Sequence, residues 1–430
     1  MEEKFSLLLN FSGAGSKLLQ AQLSTIDQVC SIPAYPLKYL PFFYEEWKKK
    51  DRNLTPQKLF NLIFKHHKSI FDSRYIKGFN GLNNLGKDKK GYVKISKDKF
   101  KVYFIKFFKN KKINQKNLIF AVHESYKNAI NNNGNNFIYH VHDLEIFDKY
   151  LKKDFNNNNI IFIIRNPILA FWRRAYSDNV IDKDRFDFTD YEELLNFRYI
   201  NRLRDILINI ENFKSTFNKN SIVIRFEDLK SKNYEIMKKL CSKLSLKFNF
   251  DKISKPKFAN QIWWGSNVYK GHAENYSYKK KLSFKDDLIK FFPHEIFLLE
   301  IALLPLMKKF NYKDNLRSKI NFFSYIKFFI FLFLPTKYGL NLLKHRLSLI
   351  TLKNYVKNAS FESFNRNKLK NYYFNGMYRF KWSYKFNYLL KFNVFRKLKY
   401  KHQNNLFLNL IYFLIKIFIY PLIILEFSII

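Results

Sequence analysis

The chain reads as an α/β protein, a three-layer fold in which a parallel sheet is flanked by helices. Two observations predict this, and a third bounds it. Between Phe5 and about Tyr312, short apolar runs alternate with longer amphipathic stretches, the pattern of strands joined by helical crossovers. At the N-terminus, FSLLLNFSGAGSKLLQAQL passes from an apolar run through a Gly/Ser turn into a helical stretch. Beyond Tyr312 the alternation stops, and residues 314–430 carry 20 Lys and Arg against 3 Asp and Glu. The expected organisation is an α/β domain over 1–313 followed by a basic, apolar helical extension over 314–430.

Runs of buried-strand length predict strands at Phe5–Leu9, Leu118–Val122, Phe137–His140, Ile160–Ile164 and Ile222–Phe226. Helical periodicity predicts helices at Lys17–Ser24, Pro56–Phe71, Tyr126–Asn131, Leu144–Tyr150, Leu169–Asn179, Tyr191–Asn218, Tyr234–Leu244 and His294–Phe310. The Asn-rich tracts 131–136 and 156–159 read as surface connections. In the extension, Phe322–Leu334 is too short to span a bilayer and is interrupted by Lys327. Leu406–Leu425 has spanning length but contains Asn409, Lys416 and Pro421. An extension lying in or on an anionic membrane is the expectation, with a helical extension packed on the core as the alternative.

The chain holds 77 Lys and Arg against 35 Asp and Glu, a formal charge of +42. That surplus admits nucleic acid, an anionic membrane surface or an acidic substrate as partners. The abundance of Lys, Asn, Ile, Phe and Tyr with little Gly or Ala is also the bias of A/T-rich codons, so part of the charge is drift. The charge is dispersed and no nucleic-acid motif accompanies it, which makes nucleic acid the weaker partner. Two cysteines, Cys30 and Cys241, are too few for a disulfide framework or a cysteine-based zinc site and suit buried thiols in a reducing compartment. The acidic start and short first apolar run read as neither a secretory signal nor an anchor, so synthesis and folding are expected in the cytoplasm, with the extension attached to the inner membrane.

The N-terminal turn is built to hold an anion. Gly13 and Gly15 permit close backbone approach, and Ser16 and Lys17 begin a helix whose free N–H groups and dipole favour a phosphate. The turn lacks the Gly-x-x-x-x-Gly-Lys-Ser/Thr spacing of a nucleoside-triphosphate loop, since Leu18 follows Lys17.

Three further segments sharpen this: IIFIIRNPILAFWRRAYS (160–177), SIVIRFEDLKSKNYEIMKKLCSKLSL (221–246) and GSNVYKGHAENYSYKKKLS (265–283). In order and spacing the four resemble the sulfotransferases that use 3′-phosphoadenosine 5′-phosphosulfate (PAPS), with their P-loop-like fold, over roughly Phe5 to Tyr312. The resemblance implies that Ser12, Gly13, Ala14, Gly15, Ser16, Lys17 and Leu18 surround the 5′-phosphosulfate. It implies that Arg165 and Ser177 bind the 3′-phosphate and that Lys270 and Gly271 close over it. Arg225 to Leu229 match the family's Arg-Tyr-Glu-Asp-Leu strand, with Phe in the Tyr position. The reaction implied is sulfuryl transfer to a hydroxyl or amine of a glycan, lipid or related acceptor. It runs by in-line displacement with no obligatory metal.

The chain departs from that pattern in two places. Gly13 stands where many members carry a Lys or Arg that steadies the leaving oxygen, leaving Lys17 as the nearest substitute. The interval from Arg165 to Ser177 is about one helical turn longer than usual, with Arg173 at the usual Ser position, so Arg173 or Arg174 could serve instead. For the base, His123 and Glu124 stand first, at the end of the expected strand Leu118–Val122. His140, His142, Glu45, Glu46 and the pair His66-His67 remain open. His140-x-His142 with Asp143 lacks a partner cluster for a metal, and Glu227 and Asp228 read as capping or anchoring carboxylates. Tyr35–Trp47, Trp263 and Trp264 are aromatic enough to line an acceptor cleft. An inactive relative or membrane-surface scaffold is the alternative to an enzyme.

Overall fold

The computed structural model describes residues 4–10, 14–33, 35–75, 81–141, 144–170 and 220–265, and scattered positions between 293 and 312. Those up to 265 belong to one compact unit, Met1–Asp178 with Ile208–Ser283; those from 293 belong to a second, Asn179–Leu207 with Phe284–Ile430. In the second, the described positions from 293 to 309 are helical, Glu300 and Met307 are buried, and the Tyr312 N–H donates to the Met307 carbonyl at 2.9 Å. The boundary at 313/314, the expected helix Tyr191–Asn218 and both apolar stretches of the extension lie outside the described residues. Among the described residues, no helix is long and apolar enough to cross a membrane.

The first unit is built on a five-stranded parallel sheet in the order β2-β3-β1-β4-β5. The strands are β1 (Lys4–Asn10), β2 (Val29–Ser31), β3 (Asn136–His140), β4 (Asn159–Ile164) and β5 (Ser221–Arg225). β1 is central, pairing Leu8 with His140 of β3 and with Ile161 of β4. Its residues Phe5 to Asn10 are all buried, as the continuous run Phe-Ser-Leu-Leu-Leu-Asn requires of a strand covered on both faces. Four of the five strands fall where the apolar runs predict them. β2 was not predicted, because three residues, Val-Cys-Ser, leave no periodic signal.

Helix α1 (Ser16–Leu23) follows β1, and α2 (Leu40–Lys50), α3 (Pro56–His66), α4 (Lys97–Phe107) and α5 (Gln115–Ala129) fill the chain between β2 and β3. Pro56 follows the Thr55 cap, whose side chain accepts the Lys58 N–H, and α3 stops at His66, short of the expected Phe71. Leu144–Ile146, a π-helical turn at Phe147–Leu151 and Lys152–Phe155 lead into β4; α6 (Phe226–Ser231) and α7 (Asn233–Lys243) follow β5.

The expected strand Leu118–Val122 is a correction: it is the middle of α5. Asn114 caps the helix by accepting the Asn117 N–H at 2.8 Å, and Leu118, Val122 and Tyr126 recur on the buried face at helical spacing. A five-residue apolar run fits either structure, and the capped helix around it decides. Cys30 and Cys241 are free, buried thiols, pushed by burial up to about 12 and about 11.

Candidate active site at the carboxyl edge of the sheet

Because all five strands are parallel, Asn10, Ser31, His140, Ile164 and Arg225 end on one edge. The connections leaving β1 and β4 run to opposite sides of the sheet, since β2 and β3 lie on one side of β1 and β4 and β5 on the other. Ligands of α/β sheets settle in the crevice outside such a reversal point. Here the crevice is bordered by the turn after β1 and the turn after β4.

The turn after β1 is held open by Gly15. Its φ of +80° is left-handed, and an added Cβ would lie 2.2 Å from Cε2 of Phe226. No side chain caps α1 and no acidic residue stands in its first turn, so no carboxylate of that turn offsets the positive end of its dipole. Ala14 and Ser16 are buried here, and Leu18 points into the core while its N–H bonds the Gly15 carbonyl at 3.0 Å. Ser12 and Gly13 lie outside the described residues.

The turn after β4 presents Arg165, with 2% of its surface exposed and its guanidinium carbon 5.3 Å from the centre of the Phe226 ring. Asn166 caps the helix that starts at Pro167, its Oδ1 accepting the Ile168 and Leu169 N–H groups at 3.0 and 3.2 Å. The Asn166 N–H itself donates to Glu227 Oε1 at 2.9 Å. Glu227 therefore anchors a backbone turn, and Asp228 pairs with Arg225 at 3.5 Å; both carboxylates serve structure.

Beneath the crevice runs a buried polar chain. Gln20 Nε2 donates to Ser31 Oγ at 2.8 Å and to the Ile32 carbonyl at 2.9 Å. The carbonyl end of Gln20 therefore faces His140, whose Nδ1–H donates to Gln20 Oε1 at 3.1 Å. Nε2 of the ring lies 3.2 Å from the side-chain amide of Asn10, whose NH₂ end faces it when the neutral ring donates through Nδ1. Lys17 joins from the other side: its ammonium donates to the Pro33 carbonyl and to Gln20 Oε1 and packs 5.3 Å from the Phe258 ring. Desolvation there lowers its pKa to about 7.

His123 and Glu124 do not share this edge, which corrects their expected place at a strand end. His123 sits inside α5, ringed by Phe5, Phe137 and Tyr139 at 5.1–5.8 Å, and its Nδ1–H donates to the Ile119 carbonyl at 2.8 Å. Burial pulls its pKa down to about 4. Glu124 is paired with Lys127 at 2.7 Å. His67 is likewise buried, with its pKa near 4, while His66 stacks on Phe43, which stacks on Trp47. Trp263 is buried against Phe258. Arg173, Arg174, Ser177, His142, Lys270 and Gly271 lie outside the described residues. Gln20, Asn10, Asn166 and Phe226 were not expected at the site. No local signal marks Gln20, whose neighbours at helical spacing are Ser16, Lys17, Leu23 and Ser24.

No known family model matches the chain, and no curated protein matches it. Solved structures similar to it include three sulfotransferases. The sulfotransferase domain from the curacin biosynthetic pathway is 13% identical, with 73% of this chain and 100% of that one covered and a TM-score of 0.40. The sulfotransferase domain of the Synechococcus PCC 7002 olefin synthase is also 13% identical, over 73% and 96%, at 0.40. Sulfotransferase STF9 from Mycobacterium avium is 11% identical, over 73% and 78%, at 0.35. At that distance a functional reading has to come from this chain's own residues.

Proposed function

We propose that the crevice between β1 and β4 binds PAPS and that the protein transfers its sulfuryl group to a hydroxyl or amine acceptor. One observation carries the reading: an uncapped helix N-terminus entered through a glycine turn and a buried arginine stand at the same reversal point of a parallel sheet, in contact with one aromatic ring. Backbone N–H groups suit one anionic end of such a donor and a fixed guanidinium the other. The residues present fit the donor in charge, since the acid-free first turn of α1 and the buried Arg165 guanidinium stand at one edge of the sheet. The Ser12–Leu18 turn takes the 5′-phosphosulfate and Arg165 the 3′-phosphate; Arg173, Ser177, Lys270 and Gly271 complete the 3′ side.

In the reaction the acceptor oxygen or nitrogen forms a bond to sulfur as the bond from sulfur to the bridging phosphate oxygen breaks. The acceptor proton passes to a base, and adenosine 3′,5′-bisphosphate leaves. His140 is the imidazole of the described sheet edge, with Gln20 holding its Nδ1–H, and it takes the base role proposed earlier for His123. Lys17, near pKa 7, gains its proton when anionic charge arrives and then steadies the leaving oxygen. The anchoring of Lys17 to Pro33 favours one second reading, donor binding without transfer. Acceptors are glycans or lipids at an anionic membrane surface, reached through the basic 314–430 extension, and the protein works at the cytoplasmic face.

The test is transfer of label from ³⁵S-PAPS to lipid and glycan extracts of the source cells. Label appearing in an extracted product supports transfer. Binding of the donor with no labelled product supports the second reading, and absence of both overturns the proposal.

A further inference from the structure

We infer that Phe226 and Glu227 form a clasp that joins the Gly15 turn and the Arg165 turn into one rigid anion cradle, an inference that rests on the donor-site reading above. Both residues directly follow the last residue of β5, Arg225, so one short segment reaches two turns that belong to other strands. The Phe226 ring occupies the space beside Gly15 so fully that an added Cβ would meet Cε2 at 2.2 Å and Cδ2 at 2.4 Å. Its centre lies 5.3 Å from the Arg165 guanidinium carbon. A single ring thus touches both anion-binding elements.

Glu227 supplies the second point of the clasp. Its Oε1 accepts the Asn166 N–H at 2.9 Å, fixing the peptide that follows Arg165, and the Asn166 side chain in turn caps the next helix. A charged acceptor on a backbone donor is among the stronger protein hydrogen bonds. Held this way, the two turns do not have to be ordered when the anion arrives, and affinity is not spent on ordering them. Phe226 and Glu227 are positioning residues: they act through Gly15, Arg165 and Asn166.

The test is a double-mutant cycle on the full chain, read by calorimetric titration with adenosine 3′,5′-bisphosphate. Gly15→Ala is made alone and together with Phe226→Leu. The backbone strain of a positive φ is common to both backgrounds, so the cycle isolates the ring contact. Overpacking costs of 1–3 kcal/mol correspond to roughly 5- to 150-fold in affinity. Gly15→Ala should therefore weaken binding at least about fivefold more with Phe226 present than in the Phe226→Leu background. Equal costs in the two backgrounds overturn the clasp. Glu227→Ala should weaken binding by about tenfold, with Glu227→Gln, which keeps an acceptor oxygen, recovering most of it. Failure of the Gln variant to recover more than the Ala variant overturns the role of Glu227. The same Gly15/Phe226 cycle in urea unfolding reads the clasp without ligand. Coupling there with a wild-type protein that binds no nucleotide overturns the donor-site reading and leaves the clasp standing; additivity there overturns the clasp.

Discussion

Gln20→Met keeps the length and nearly the volume of a side chain with none of its surface exposed, while deleting one amide that serves four partners. Ser31 Oγ retains its bond to the Ile138 carbonyl and Lys17 its bond to Pro33. The Ile32 carbonyl and the His140 Nδ1–H lose the acceptor or donor that Gln20 gave them. A buried polar group that loses its partner costs about 1–3 kcal/mol, so two cost about 2–6, offset in part by the thioether's easier burial. A net loss of about 3 kcal/mol is expected, a large share of a total stability of roughly 5–15. Urea unfolding followed by Trp fluorescence should show the midpoint fall by about 1 M at an m-value of about 3 kcal/mol/M. A midpoint unchanged within about 0.2 M would refute the claim that this chain of bonds holds the sheet edge together.

Other expectations follow from the same site. Arg165→Met should weaken adenosine 3′,5′-bisphosphate binding on the order of a hundredfold, the worth of a bidentate ionic contact, and Arg165→Lys should recover only about tenfold of it. His123 is neutral when folded, with its pKa near 4, but regains an ordinary pKa near 6.5 on unfolding. The unfolded chain thus binds the extra proton between those values. Stability falls as pH drops from about 6.5 to 4, by about 3 kcal/mol for this residue, and His123→Leu should flatten that part of a pH–melting curve. For Lys17 the folded pKa of about 7 lies below the unfolded value, so its contribution to stability rises with pH from about 7 to 10.5. Nucleotide affinity should run the other way, falling as pH rises above 7 and becoming flatter in Lys17→Met, as calorimetry in buffers of different ionisation enthalpy can show.

Much of the fold was legible because buried parallel strands are written as short apolar runs, and β1, β3, β4 and β5 each have one. What failed was ambiguous on physical grounds. Leu118–Val122 has strand length, yet the Asn114 cap and the burial of Leu118, Val122 and Tyr126 draw it into α5. That single misreading carried His123 and Glu124 to a strand end they do not occupy. Parts of the candidate site were legible as motifs: the Gly15 turn, Arg165 and the start of the Arg225–Leu229 segment share one edge of the sheet. The bonds between them were not, because the contact of Phe226 with Gly15 joins residues far apart in the chain, and no local spacing encodes it. Nor does spacing reveal that the Lys17 ammonium turns to the Pro33 carbonyl.

The most direct test of the donor site is calorimetric titration of the full chain with adenosine 3′,5′-bisphosphate beside adenosine 5′-monophosphate. An uncapped α1 N-terminus and a buried Arg165 flanking one crevice predict one-to-one binding of the bisphosphate, with the monophosphate weaker by on the order of a hundredfold because nothing then reaches the guanidinium. Equal affinity for the two nucleotides, or no heat from either with well-folded protein, would contradict the assignment.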